Sequence, residues 1–150
     1  MPTSLGKKTE AGSLSVSQHC LDVACCMEVI LTQPVYRRRV ETVLGRSLDS
    51  ATLERLLALT FLHDMGKLCT GFQARIQGWA SEAGAGHLSE ALFILDGSQP
   101  AITASLRIMD IIAWGDSAMP LLLATLAHHG RPICTGNADH VAWRRLPVQV

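Results

Sequence analysis

Residues 51–72, ATLERLLALTFLHDMGKLCTGF, decide how this chain is read. The first half has the pattern of an ordinary buried helix. Leu53, Leu56, Leu57 and Phe61 recur at three and four residues, the spacing that aligns side chains along one helical face. Asp49 or Ser50 is placed to cap this helix, which is expected to run to about Met65 and close at Gly66. The apolar face is then interrupted by His63 and Asp64, with Lys67 one turn beyond His63. An unpartnered buried polar group costs roughly 1–3 kcal/mol. A helix that ends its apolar face this way needs something to satisfy both residues.

The flanking sequence reads as further helices. SVSQHCLDVACCMEVILTQ, residues 15–33, carries Leu21, Ala24, Cys25, Met27 and Val29 at helical spacing, and Pro34 stops it. VYRRRVETVLG follows as a shorter helix with Gly45 at its C′ position. GFQARIQGW reads as a short helix or turn and SEAGAG as a loop, and a helix is expected from about His87 to Leu95. AITASLRIMDIIAW predicts one continuous helix, and AMPLLLATLAHHG predicts another, capped by Asp116 or Ser117 with Pro120 in its first turn. From about residue 131 the pattern becomes irregular. No segment shows strand alternation, so the expected class is an all-α fold, a single domain over residues 1–150.

Composition narrows the function classes. Hydrophobic residues make up 48% of the chain and charged ones 17%, which describes a globular protein with a packed core. Lys and Arg number 13 and Asp and Glu 13, so net charge gives no argument for nucleic acid or an anionic membrane. Arg37, Arg38 and Arg39 read as a solvated helix face. The five cysteines, Cys20, Cys25, Cys26, Cys69 and Cys134, are odd in number and form no CxxC pair, the usage of reduced, packed thiols with no disulfide partner. The stretch MPTSLGKKTEAGS has no apolar core of a signal peptide, and no apolar run approaches the ~20 residues of a membrane span. The expectation is a cytoplasmic protein with no membrane contact.

The histidines carry the functional signal. His63 stands beside Asp64, His128 and His129 end a Leu-rich helix, His19 lies inside the first helix, and His87 follows a Gly-rich loop. Taken singly, His19 and His87 read as hydrogen-bonded core histidines, the 128–129 pair as charge at a helix C-terminus, and Asp64 as a partner for Lys67. Taken together, helix ends that finish in His or Asp converge on a shared partner. Imidazoles and a carboxylate suit Fe, Mn, Zn, Ni or Co, while the absence of clustered cysteines argues against structural zinc. Near a helix end His63 and Asp64 can reach one site, and a carboxylate can bridge two cations that activate a water and stabilise a leaving oxygen. Lys67 is close enough to meet a phosphate oxygen. His140, in the irregular tail, reads as surface.

HDMGK behind an apolar helix resembles the HD phosphohydrolase superfamily, a helical bundle with the pattern H…HD…H…H…D. HDMGKLCTGFQ, followed by GHLSEAL and then AHHGRP, resembles more closely the HD nuclease domain of the type I CRISPR-associated nuclease-helicase. HCLDVA is similar to that family's first-histidine helix, and the likeness runs from about Ser17 to Pro132. The resemblance implies metal ligands at His19, His63, Asp64, His87, His128 and His129, with Asp64 bridging and Lys67 as the lysine after the HD pair. It implies two divalent transition metals (Fe, Mn, Co or Ni, with Mg or Zn as substitutes) and cleavage of single-stranded DNA. By the same resemblance, the strand would be exposed by an RNA-guided surveillance complex and fed in by a helicase portion or subunit.

The sequence departs from that pattern in two respects. The family's last metal-binding aspartate has no clear counterpart: Asp139 follows His129 too closely, and Asp116 precedes the HH pair. Helicase motifs, including any GxxxxGK[ST] loop, are also absent. The resemblance thus implies a complete position at Asp64, His87, His128 and His129 and one lacking a ligand at His19, His63 and Asp64. On this reading the chain is a fragment of a longer nuclease, incomplete at its C-terminal end. The rival readings are a small-molecule HD phosphohydrolase and an inactive helical remnant that docks to CRISPR partners.

Overall fold

A computed structural model describes residues 4–78, 86–130 and 133. The irregular tail, Cys134, Asp139, His140 and most of the SEAGAG loop lie outside the described residues. The architecture is helical, as the sequence implies, with a small two-stranded sheet at its N-terminal side.

That sheet corrects the expectation of no strands. β1 (Leu5–Thr9) pairs antiparallel with β2 (Gly12–Ser15), with Lys7 opposite Leu14, Thr9 opposite Gly12 and an irregularity at Gly6. A Cβ on Gly6 would lie 2.9 Å from both the Ser15 carbonyl oxygen and Val16 Cα, so only glycine fits there. The hairpin carries lysines, a threonine and a glutamate on largely exposed positions, which is why no apolar alternation marks it.

α1 (Val16–Thr32) begins where Ser15 Oγ accepts a hydrogen bond from the Gln18 amide, at 3.0 Å. Its inward residues are Val16, Cys20, Ala24 and Leu31. Leu21, Cys25 and Val29 form a second row spaced by four and are exposed. Two rows of equal spacing give the same periodic signal, so periodicity alone cannot choose between them. Cys25 and Cys26 are accordingly free and exposed, while Cys20 and Cys69 are free and buried.

Pro34 takes the N1 position of α2 (Pro34–Leu44), which ends on left-handed Gly45. Asp49 caps α3 (Ser50–Phe61), accepting from the Thr52 amide at 2.7 Å. The α-helix stops at Phe61 rather than Met65. Leu62–Leu68 continues as a 3₁₀ segment, bent at Asp64 (φ −111°, ψ 18°), so the HD pair lies on a tightened turn. α4 (Thr70–Gln77) follows, capped by Cys69, whose Sγ accepts from the Phe72 amide at 3.3 Å.

The expected helix from His87 forms as a 3₁₀ turn, Ser89–Ala91, running into α5 (Leu92–Leu95). The expected single helix over residues 101–114 is two, α6 (Pro100–Ser105) and α7 (Ile108–Ile112). Arg107 between them adopts φ 52°, which no helix-propensity argument anticipates. α8 (Ala118–Leu126) ends just before His128, and Leu122 and Leu126 join Leu59, Leu62, Met65, Ile94 and Ile108 in the main core. That core fastens the ends of α3 and α8 to the 3₁₀ segment bearing Asp64. No described helix is long and apolar enough to cross a membrane.

Candidate metal centre

Asp64 is 2% exposed, and its two oxygens face different histidine groups. Oδ2 lies 2.9 Å from His19 Nε2, 3.1 Å from His63 Nε2 and 2.6 Å from Lys67 Nζ. Oδ1 lies 3.1 Å from His87 Nε2 and 3.5 Å from His128 Nε2. His129 Nε2 in turn stands 3.3 Å from His87 Nε2. All six predicted metal-site residues and Lys67 therefore meet in one pocket. Asp116 does not take part in these contacts; it is exposed before the N-terminus of α8, the end remote from His128.

Four segments bring them together. α1 carries His19, the turn after α3 carries His63, Asp64 and Lys67, the segment before α5 carries His87, and the turn after α8 carries His128 and His129. Gly66 makes the convergence possible. A Cβ there would stand 1.7 Å from the His87 carbonyl oxygen, 2.7 Å from its carbon and 3.0 Å from the Ala91 nitrogen. The HD turn and the His87 backbone are in direct contact because residue 66 has no side chain.

The hydrogen-bond chemistry fixes one tautomer. His63 Nδ1 is 2.8 Å from the Thr60 carbonyl oxygen, which can only accept, so Nδ1 carries the proton. In neutral His63 the Nε2 lone pair then faces Asp64 Oδ2, an arrangement that calls for a proton or a cation between them. Burial lowers the His63 pKa, but contact with the Asp64 carboxylate outweighs it and the net shift is upward. Burial likewise pushes Asp64 up, yet the contacts from His63, His87 and Lys67 prevail and hold it well below the usual carboxylate range. His128 is shifted down, first by burial and then by His129, His63 and His87, against an opposing pull from Asp64. The shift favours the neutral imidazole, the form able to donate a lone pair.

Asp64 Oδ1 is buried without a hydrogen bond, although His87 Nε2 and His128 Nε2 stand 3.1 and 3.5 Å away. An orphaned carboxylate oxygen beside two imidazoles, with a third next to His87, fits a divalent cation. Two groups have mutually close donor atoms: His87, His128 and His129, and His19, His63 and Asp64. Within each group all donor atoms lie within 4.8 Å of one another. The donor set of nitrogen and carboxylate oxygen, with no sulfur, suits Mn, Fe, Co, Ni or Zn.

Two residues that support the pocket carried no role in the sequence reading. Gln73 is buried and joins distant segments: its Oε1 accepts from the Leu5 amide at 2.8 Å, and its Nε2 donates to the carbonyls of Leu5, at 2.9 Å, and Lys67, at 2.7 Å. The hairpin also receives the Val16 amide on the Ser4 carbonyl at 2.8 Å, one turn before His19. Gln73 thus ties Lys67 to β1, and the Val16–Ser4 bond ties the start of α1 to the residue before that strand. Cys20 is the second; burial, and then the nearby Asp64 charge, push its thiol up to about 11, so it is a neutral packing group beneath the site. The FQ dipeptide was visible in the sequence, but its partner lies 68 residues away.

Histidines from several helix ends gathered around a single buried aspartate define a metal-binding pocket of the HD type. The chain belongs to the family described as Cas3, HD domain, which residues 5–147 match. Membership makes it a metal-dependent HD-type hydrolase of a CRISPR system, with nucleic acid as its substrate class and a CRISPR-associated helicase as its context. No curated protein and no solved structure matches the chain.

Proposed function

We propose that this chain is a phosphodiesterase that cleaves single-stranded DNA using two divalent cations. The observation that carries the reading is the division of Asp64, with Oδ2 toward His19 and His63 and Oδ1 toward His87 and His128. His87, His128 and His129 would hold one cation with Asp64, and His19 and His63 the other, again with Asp64. When bound, such cations supply Lewis acidity that lowers the pKa of water and neutralises charge on phosphoryl oxygens.

The chain's own residues do the rest. Asp64 stays ionised across the physiological range, and Thr60 holds the His63 ring with Nε2 toward the pocket. The Lys67 ammonium, held at Asp64 Oδ2, is placed to contact a phosphate oxygen in the pocket. His128 and His129 are the exposed ligands, so a strand enters on their side while the core closes the other. Zero net charge fits a strand delivered by a helicase portion or subunit working with an RNA-guided surveillance complex in the cytoplasm.

The test is metal content per chain after anaerobic purification, then cleavage of single-stranded DNA with added Mn, Co or Ni. Two metals and cutting support the reading, and Asp64→Ala should abolish both with little loss of helicity. Turnover of nucleotides without strand cleavage would favour a phosphomonoesterase. One metal or none, with no cutting, would favour the docking remnant, for which the three-donor His19–His63–Asp64 group is the supporting observation.

A further inference from the structure

Phe72 lies between the metal pocket and the exposed side of α4. Its nearly buried ring is edge-on to His87, with centroids 5.7 Å apart. Two cations lie against the same ring, Lys67 Nζ at 5.7 Å and Arg75 Cζ at 5.1 Å from the centroid. They are in different electrical situations. Lys67 is neutralised by Asp64 at 2.6 Å. Arg75 is exposed and forms no ion pair among the described residues.

An arginine resting on an aromatic ring has its stem ordered and its guanidinium held in place before any ligand arrives. The shared contact with Phe72 also limits its distance from the site. The guanidinium can be no farther from the His87 ring than the sum of 5.1 and 5.7 Å. An anion at Arg75 would thus be a close neighbour of whatever sits at His87 and Lys67, without being the same group. A polynucleotide offers that arrangement, because each backbone phosphate has another beside it. The planar fork of arginine matches phosphate oxygens in a bidentate manner, and a ring-held fork loses little freedom on binding.

We infer that Arg75 binds a phosphate of the DNA strand adjacent to the linkage at the metal pocket, using Phe72 as its platform. This rests on the strand-cleavage reading and deepens it, since a nucleotide monophosphate has no second phosphate for Arg75 to hold. Lys67 then serves the phosphate at the pocket and Arg75 its neighbour, which sets the strand's register across His87.

The test is fluorescence anisotropy of the full chain with a labelled phosphorothioate oligothymidylate and manganese, over a salt series. Wild type is compared with Arg75→Gln and Arg75→Lys. Arg75→Gln should weaken binding roughly three- to tenfold and lower the slope of log affinity against log salt by about 0.7, the single-strand value for one phosphate contact. Arg75→Lys should keep most of that slope, because the charge remains. The manganese-induced rise in melting temperature should be equal in all three, which separates strand binding from damage to the metal pocket. Wild-type affinity and slope in Arg75→Gln would overturn the assignment while leaving the strand reading intact. Equal losses in both variants with an unchanged slope would also overturn it, by reducing Arg75 to a packing group. A wild-type chain that fails to bind the oligonucleotide would sink the strand reading and the assignment with it.

Discussion

Replacing Gly66 with alanine tests whether the metal pocket depends on the approach of two backbones. The added Cβ would stand 1.7 Å from the His87 carbonyl oxygen, a separation that must grow to at least 3.0 Å before real side chains tolerate it. The obstacle is backbone, so no rotamer change relieves it. Either the 3₁₀ segment bearing Asp64 or the segment bearing His87 must retreat by more than an ångström. Overpacking of this kind costs about 1–3 kcal/mol, which at this chain length lowers the melting temperature by roughly 2–12 °C. The functional loss should be larger than the stability loss. Ligand constellations tolerate displacements of about 0.5 Å, and a 1 Å misplacement can cost about 10²-fold in rate.

The assays are calorimetric titration with manganese and strand cleavage. Gly66→Ala should lose the cation held by His87, His128 and His129, and activity should fall at least about 10²-fold. His87→Ala serves as the control, since it deletes the ligand without the clash. It should reproduce the metal and activity losses at nearly wild-type melting temperature. Wild-type manganese stoichiometry and cleavage in Gly66→Ala would refute the argument, because the pocket would then not need the close approach.

Three further outcomes are expected. Asp64→Asn keeps the shape of the carboxylate but not its charge; it should lose both cations and at least about 10²-fold in activity, with unchanged circular dichroism. Gln73→Ala leaves three backbone groups unsatisfied, costing about 2 kcal/mol and roughly 4–8 °C in melting temperature; fast amide exchange at Leu5 would accompany it, and an unaltered exchange rate there would count against the staple. Without metal, His63 contributes stability that is full below its ordinary value of 6.5 and is lost as pH rises through its raised folded value. With manganese the trend should reverse, because a cation requires the neutral imidazole. Parallel melting-temperature profiles with and without metal would show that His63 is not a ligand.

Legibility divided along the distance between partners. The cap at Asp49, the stop at Pro34 and the αL glycine at Gly45 are local chemistry, and the sequence displays them directly. The residues that gather at Asp64 were equally visible, because imidazoles and a carboxylate at the ends of apolar helices conflict with their surroundings. What could not be read depends on remote contacts. The hairpin has too little apolar alternation to show itself, and it is held by a glutamine 68 positions away. The inner row of α1 differs from the outer row only by what packs against it. The left-handed turn at Arg107 breaks a stretch whose propensity is helical throughout. Gly66 was legible as the end of a helix, whereas its function is to leave room for His87.

Lys67 explains how this pocket folds with a carboxylate at its centre. A buried anion without a partner is among the costliest groups a core can hold, and small metal domains often remain unfolded until the cation supplies that partner. Here the Lys67 ammonium, 2.6 Å from Asp64 Oδ2, already balances the charge. It reaches the same oxygen as His19 and His63, so it stands where a cation at that position would exert its own attraction. Oδ1 has no such substitute and remains without a hydrogen bond. The two halves of the site are therefore unequal before any metal arrives. A cation at His87, His128 and His129 would meet an unsatisfied oxygen and three imidazoles, whereas one at His19 and His63 would have to compete with an ammonium already in place. If both positions take cations, the His87 side should fill first, and Lys67 would be free to turn toward substrate only once a cation took over its contact with Oδ2.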